Sequence, residues 1–340
     1  MPDAPLLLNL IPLEPLARAQ LLAAGLHIQD VDVTASGFAG RGMSGTSGTS
    51  DISGLTSRAR LLLTNGTTGL DAAQMDLLPQ LELVCAFGAG YERIDIAAAA
   101  QRGIAVAHAP NTNGETVADH ALALMLAVSR ALVTLDRAVK AGGWAKHRAP
   151  RPTLHGARLG VIGLGNIGQA IARRAEGFGM SVGYHTRTPH DDRRWQYFAT
   201  VGELADASDF LVLACPGGPS THHLVNADVL ARLGAGGFLV NVARGSVVDT
   251  EALIEALCDG IIAGAALDVF ETEPDVPSAL RMLENVVLTP HVSGRSPAAL
   301  QAQIDSLLAN VRAHLAGQPL PTPVKPTLAT VARTGRKALR

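Results

Sequence analysis

Cysteines and aromatic residues are scarce in these 340 residues, and neither sign of charge dominates. The three cysteines, Cys85, Cys215 and Cys258, are odd in number and far apart. That pattern excludes a disulfide framework and lacks metal-type spacing, so no metal site is expected and reduced thiols in a cytoplasmic protein fit best. A net charge of −2 lacks the basic footprint that nucleic acid demands. The one basic cluster, Arg333, Arg336, Lys337 and Arg340, reads as a solvated tail over 326–340. No apolar stretch approaches the roughly 18 residues of a membrane span. The short apolar run 6–13 follows Asp3 rather than a basic region, so neither a span nor a signal peptide is expected.

What is abundant is apolar residues, 47% of the chain, and 35 glycines. The length predicts about two domains with sizeable cores. Among the glycines, Gly163-Leu164-Gly165-Asn166-Ile167-Gly168 stands out because an apolar strand pattern over 158–162 leads in and a helical pattern over 169–178 leads out. This is the context of a dinucleotide-binding turn. Its glycines allow tight turning and close backbone approach, and a helix N-terminus points N–H groups and a positive dipole end at a pyrophosphate. Gly88-Ala89-Gly90 and Gly234-Ala235-Gly236 begin the same pattern and fail at the third glycine. NAD or NADP is the expected cofactor.

Periodicity divides the rest. The first hundred residues read as a small α/β unit with strands over 6–11, 60–64 and 81–86 and helices over 14–24 and 71–78, which favours a parallel sheet. Between them, 34–57 is rich in Gly, Ser and Thr and reads as a long loop, either a lid or slack. A long helical pattern runs from near Asn113 to Gly142-Gly143. From 158 onward strands (159–162, 181–184, 210–214, 237–242, 265–269, 286–288) alternate with helical stretches such as 226–233 and 250–258, enough for a complete doubly wound domain. The helix over 297–316 has no sheet downstream and is expected to return to the first domain. The expected domains are therefore 1–108 with 292–325, holding the substrate, and 109–291, holding the dinucleotide, with the active site in a cleft and hinges near His108 and His291.

An NAD-selecting acid would stand about 20 residues after the glycines. This chain instead reads His185-Thr186-Arg187-Thr188 after the second strand. A carboxylate there repels a 2′-phosphate, whereas a guanidinium pairs with it and threonine hydroxyls add hydrogen bonds. The reading is NADP(H) preferred and NAD(H) possible, against the alternative that Arg187 is a plain surface charge.

Three segments at expected strand ends carry groups suited to hydride-transfer chemistry: Asn241 through Ser246 with Ala243 and Arg244, Leu267 through Pro274 with Asp268 and Glu273, and Thr289-Pro290-His291. An arginine fork grips a carboxylate or polarises a carbonyl. A histidine beside a carboxylate hands a proton to a developing alkoxide. Taken singly, Arg244 is a structural ion-pair partner, Asp268 a strand cap, Glu273 a solvated charge and His291 a packing residue. Their order along the chain is what points to catalysis.

These motifs resemble those of the D-isomer-specific 2-hydroxyacid dehydrogenase family. The resemblance spans about 60–316 and includes Gly88 through Asp95, Arg102-Gly103-Ile104, Val117-Ala118-Asp119, the glycine turn, Cys215-Pro216, Ala243-Arg244-Gly245, Asp268-Val269-Phe270, Glu273-Pro274 and Thr289-Pro290-His291. It implies an α/β fold: a doubly wound Rossmann nucleotide-binding domain inserted into a smaller flavodoxin-like α/β substrate domain. It implies that His291 is the general acid/base, Glu273 its partner and Arg244 the holder of the substrate carboxylate and oxygen. Backbone N–H groups around Phe87, Gly88, Ala89 and Gly90 would bind the carboxylate. The glycine turn, Cys215, Pro216, Thr221 and Ala243 would line the cofactor site, and Asp268 would meet the nicotinamide amide. A homodimer built on the nucleotide domains and the helix from Asn113 is also implied.

Arg187, together with Gly143-Trp144, resembles the glyoxylate and hydroxypyruvate reductases. Asp119 stands where many members carry Glu, and 34–57 has no family counterpart. Tyr91, Trp144 and Arg295 are candidates for lining the substrate pocket. Glu273, in place of the glutamine of formate dehydrogenases, makes that branch unlike this chain. Alternatives are a dehydrogenase for 2-ketogluconate, D-lactate or an aromatic 2-hydroxy acid, or a dinucleotide-sensing, corepressor-like protein.

Overall fold

The computed structural model describes residues 4–34, 37–40, 53–144, 147–191 and 194–325. The basic tail 326–340 and most of 34–57 lie outside them. The described residues form two compact units, one running up to Asn113 and resuming at Ser296, the other comprising Gly114–Arg295.

The first unit contains β1 (Leu6–Asn9), α1 (Pro15–Ala23), β2 (His27–Thr34), β3 (Gly37–Gly40), α2 (Ser53–Thr56), β4 (Leu61–Thr64), α3 (Ala72–Asp76), β5 (Leu83–Ala86), α4 (Ile96–Gln101) and β6 (Ala105–Ala107). The sheet order is β3-β2-β1-β4-β5-β6. Apart from antiparallel β3 its pairings are parallel, the flavodoxin-like arrangement. Strands β4 and β5 are buried at every position, as expected for strands covered on both faces. The expected loop over 34–57 is corrected where it is described. Phe38 on β3 and Leu55 on α2 pack against the core, and these two apolar side chains are enough to order short elements.

The second unit opens with α5 (Gly114–Ser129) and α6 (Leu132–Lys140). The single long helix expected here is broken at Ala131, which adopts a left-handed φ of 51°. The buried face of α5 ends at Ser129, and no residue of α6 is buried, so nothing in the unit holds the two in one line. There follow β7 (Arg158–Ile162), α7 (Asn166–Gly177), β8 (Ser181–His185), β9 (Gln196–Tyr197), α8 (Val201–Asp206), β10 (Phe210–Leu213), α9 (Ala227–Leu233), β11 (Phe238–Asn241), α10 (Thr250–Cys258), β12 (Gly264–Leu267), α11 (Ser278–Met282) and β13 (Val286–Leu288). All pairings in the order β13-β12-β11-β10-β7-β8-β9 are parallel, the doubly wound Rossmann order with its reversal between β7 and β10. The two-residue strand β9 is too short to leave a period in the sequence.

Helix α12 (Pro297–Leu315) returns to the first unit, where Ile304, Leu307, Leu308 and Val311 pack with Leu7, Leu21, Leu61 and Leu83. Ser296 caps it by accepting from the Ala299 N–H. Because helices α5 and α12 each pack as a whole, the division falls at their first residues rather than at 108 and 291.

Candidate active site

The glycine turn follows β7. Gly163 has a φ of 92°, and a Cβ there would come within 2.7 Å of the Cys215 backbone, so the turns after β7 and β10 touch at the reversal of the sheet. A Cβ on Gly168 would lie 2.0 Å from the Gly163 carbonyl oxygen. Gly165 differs: nothing lies within 4 Å of its Cβ position, and it opens α7 with no side-chain cap. Exposed Asn166 and half-buried Ile167 begin that helix. An exposed helix N-terminus with open space before it fits a dinucleotide pyrophosphate.

At the end of β8, His185 Nδ1 lies 3.0 Å from the Phe198 carbonyl oxygen, and the Thr186 hydroxyl donates to the Thr188 carbonyl at 2.7 Å. Arg187 is exposed and makes no hydrogen bond or ion pair with the described residues. After β10, burial pushes the Cys215 thiol up to about 11, so it stays neutral beside exposed Pro216. The Thr221 hydroxyl donates to the Pro216 and Gly218 carbonyls, which makes it a brace of this turn.

Arg244 follows β11. Its Nη1 donates to the Ala243 carbonyl at 2.7 Å, and the Ala243 N–H donates to Asn241 Oδ1 at 3.0 Å. A Cβ on Gly217 would stand 2.7 Å from Arg244 Cγ, so the missing side chain makes room for the arginine stem. Glu273 lies on the segment after β12 and His291 just after β13. His291 Nδ1 is 2.8 Å from Glu273 Oε2, and the Phe270 N–H donates to Oε1 at 3.0 Å. Burial by itself would raise the Glu273 pKa. The hydrogen bonds from His291 and Phe270, with the attraction of His291 and Arg244, outweigh it and hold the carboxyl below its usual range. The ionised carboxylate can only accept, so Nδ1 carries the hydrogen and Nε2 is the ring atom left to exchange a proton.

Asp268 was expected at the nicotinamide. Its carboxylate is fully buried and accepts from Thr289 Oγ1 at 2.6 Å and from the N–H groups of Val292 at 2.9 Å and Ser293 at 2.8 Å. It anchors the loop that carries His291, whose backbone is left-handed with φ 52°. In the first unit, Phe87 cannot serve as a carboxylate donor because its N–H is spent on the Thr64 carbonyl at 2.7 Å. Among the described residues no acceptor meets the N–H groups of Gly88, Ala89 or Gly90, and Gly88 has φ 113°. His108 Nδ1, 3.0 Å from the Ala89 carbonyl, and the Ala109 N–H, 2.8 Å from the Gly88 carbonyl, hold that turn. Arg295 is exposed at the end of the second unit.

Sequence reasoning missed His120, 3.1 Å from Thr289 Oγ1. A signal was available: His120 lies three residues after Val117 and four before Leu124, both buried, so a polar group interrupts the apolar face of α5. It also missed the link from His223 Nε2 to Glu271 Oε1 at 2.8 Å, which no local pattern announces.

The family model for the D-isomer specific 2-hydroxyacid dehydrogenase NAD-binding domain matches residues 122–293. The glyoxylate/hydroxypyruvate reductase A HPR2 of Arabidopsis thaliana is 44% identical over 266 residues, covering 78% of this chain and 85% of that protein. The hydroxyphenylpyruvate reductase of Plectranthus scutellarioides is 41% identical over 78% of this chain and 85% of its own length. Among solved structures, the NADPH-dependent glyoxylate/hydroxypyruvate reductase of Sinorhizobium meliloti, in complex with NADP and malonate, superposes with a TM-score of 0.83 at 37% identity over 96% of this chain and 98% of that one. With the glycine turn, the strand order and these relatives together, the chain belongs to the D-isomer specific 2-hydroxyacid dehydrogenases, oxidoreductases that use a nicotinamide dinucleotide.

Proposed function

We propose that this enzyme uses NADPH to reduce a small 2-oxo acid of the glyoxylate or hydroxypyruvate type to the D-2-hydroxy acid. The observation that carries the reading is the 2.8 Å pair of His291 and Glu273, with the Arg244 charge acting on the same carboxylate. These side chains leave the carboxyl ends of neighbouring parallel strands, where ligands of doubly wound sheets bind.

A nicotinamide dinucleotide held at the glycine turn would supply the hydride for the carbonyl carbon. As charge grows on the carbonyl oxygen, His291 gives it the proton from Nε2 while Nδ1 stays on Glu273. Arg244 grips the substrate carboxylate and stabilises the growing oxyanion, its stem seated in the space left by Gly217. In the oxidative direction His291 takes the hydroxyl proton back. The open N–H groups of Gly88, Ala89 and Gly90 are assigned to carboxylate binding on the family resemblance. Gly163, Gly165, Asn166, Ile167 and Gly168 are assigned to the pyrophosphate. His185, Arg187 and Thr188 are assigned to the ribose 2′-phosphate, while Thr186, expected beside them, spends its hydroxyl proton on the Thr188 carbonyl and braces the turn instead. The NADP preference is supported by Arg187, exposed and without a partner among the described residues, and by the NADPH dependence of the Sinorhizobium meliloti relative.

A homodimer is part of the same reading. Leu132, Val133 and Val139 on α6 are about half exposed, and a short helix without a buried face is marginal unless something covers it.

NADPH oxidation with glyoxylate, hydroxypyruvate, pyruvate, phenylpyruvate and 2-ketogluconate tests the function. Glyoxylate or hydroxypyruvate should show the highest kcat/KM. A lead for phenylpyruvate moves the chain to the hydroxyphenylpyruvate type, and no turnover with any of them replaces catalysis with dinucleotide sensing.

A further inference from the structure

We propose that His120, on α5, is a positioning residue that holds His291 in its working orientation through Thr289 and Asp268. This rests on the reading of His291 as the acid/base. The direction of the hydrogen bonds follows from valence. The fully buried Asp268 carboxylate only accepts, so the single Thr289 hydroxyl proton goes to Asp268 Oδ1, 2.6 Å away. The Thr289 oxygen is then an acceptor, and His120 Nε2 at 3.1 Å is the donor. His120 Nε2 is also 3.7 Å from Asp268 Oδ1. The same carboxylate takes the Val292 and Ser293 N–H groups at 2.9 and 2.8 Å, one on each side-chain oxygen.

Residues 289–293 are thus clamped on both sides of His291, whose own N–H meets the Asp268 and Thr289 carbonyls at 2.9 and 3.1 Å. The clamp is needed because His291 has φ 52°, a conformation that a residue with a Cβ keeps only where its surroundings over-determine it. Without the His120 donor, the Thr289 hydroxyl can turn away and Asp268 loses a fixed partner. The left-handed backbone then relaxes, and the imidazole swings relative to Glu273. Helix α5 is separate in sequence from the β12 and β13 ends, so this bond ties the catalytic loop to the rigid core of its unit.

The test compares His120→Leu, which removes the donor, with His120→Gln, whose amide keeps one, and with Thr289→Val, which removes the hydroxyl without touching α5. His120→Leu should lower kcat about tenfold while KM for NADPH and for the 2-oxo acid stays within about twofold, since misplacement of a reacting group costs rate rather than binding. Amide hydrogen exchange at Val292 and Ser293 should speed up in the same variant, His120→Gln should restore most of both, and Thr289→Val should add little on top of His120→Leu. Unchanged exchange and kcat in a folded His120→Leu, no rescue by glutamine, or multiplying effects in the double variant would overturn the proposal. Thr289→Val alone decides it if His120→Leu does not fold. His291→Ala separates the two readings. Full activity there refutes the acid/base assignment, and faster exchange in His120→Leu alongside it would leave the brace standing without its catalytic purpose, refuting the proposal as stated.

Discussion

His291 Nδ1 and Glu273 Oε2 stand 2.8 Å apart, and the second oxygen of that carboxylate is held by the Phe270 N–H. Both oxygens being occupied, the carboxylate cannot rotate freely, and it sets the plane of the imidazole. The two residues stand 18 apart in sequence and follow the paired strands β12 and β13.

Replacing His291 by Ala should lower kcat for reduction by about 10² to 10⁴, the usual range for a lost general acid. Fluorescence titration should find NADPH affinity within about twofold of the wild type, because the role proposed for the imidazole is on the substrate oxygen and not on the cofactor. A smaller fall in kcat means another proton donor.

Glu273 carries a pH signature in stability. Its folded pKa lies below the ordinary carboxylate value, so its contribution is fully present above that ordinary value and is lost as pH falls through the folded one. Glu273→Gln should therefore show a shallower fall of thermal midpoint than wild type between about pH 6 and pH 3. Parallel curves would show that the pair contributes no pH-linked stability.

Arg187→Ala should raise KM for NADPH by roughly ten- to a hundredfold, as expected for losing a charge-assisted bond of about 1.5 to 3 kcal/mol. KM for NADH should stay nearly constant. An unchanged preference removes Arg187 from cofactor selection.

The glycines of the turn should separate folding from binding. Gly163→Ala combines a φ of 92° with a contact of 2.7 Å to Cys215 and should lower the thermal midpoint, with a loss of about 1 to 3 kcal/mol. Gly165→Ala meets open space and should leave stability unchanged while weakening NADPH binding. Unimpaired binding in Gly165→Ala would place the pyrophosphate elsewhere.

Sedimentation of the wild type should give a dimer, and Val133→Glu, placing a charge on the uncovered face of α6, should shift it toward monomer. A monomeric wild type ends the dimer reading.

Much of the fold was legible because it is periodic. Strands β7, β10 and β11 are apolar at nearly every position, and α7 and α10 have capping or glycine signals at their starts. Strand β2 escaped because its alternation of Asp30 and Asp32 with Val31 and Val33 sits next to the Gly-rich segment, and its antiparallel partner β3 is itself part of that segment. The break at Ala131 escaped because alanine is a good helix former, and only the end of the buried face after Ser129 releases the chain there.

The local order of residues determined the two α/β units and the glycine turn, and it singled out Arg244, Glu273 and His291 as the set proposed to react, since turn chemistry, hydrophobic period and side-chain type are all carried by neighbours along the chain. Only the tertiary structure decided that Asp268 is a buried anchor, that Phe87 has no N–H to offer, and that His120 reaches Thr289 across 169 residues of sequence. A hydrogen bond depends on distance and direction in space, and sequence separation records neither.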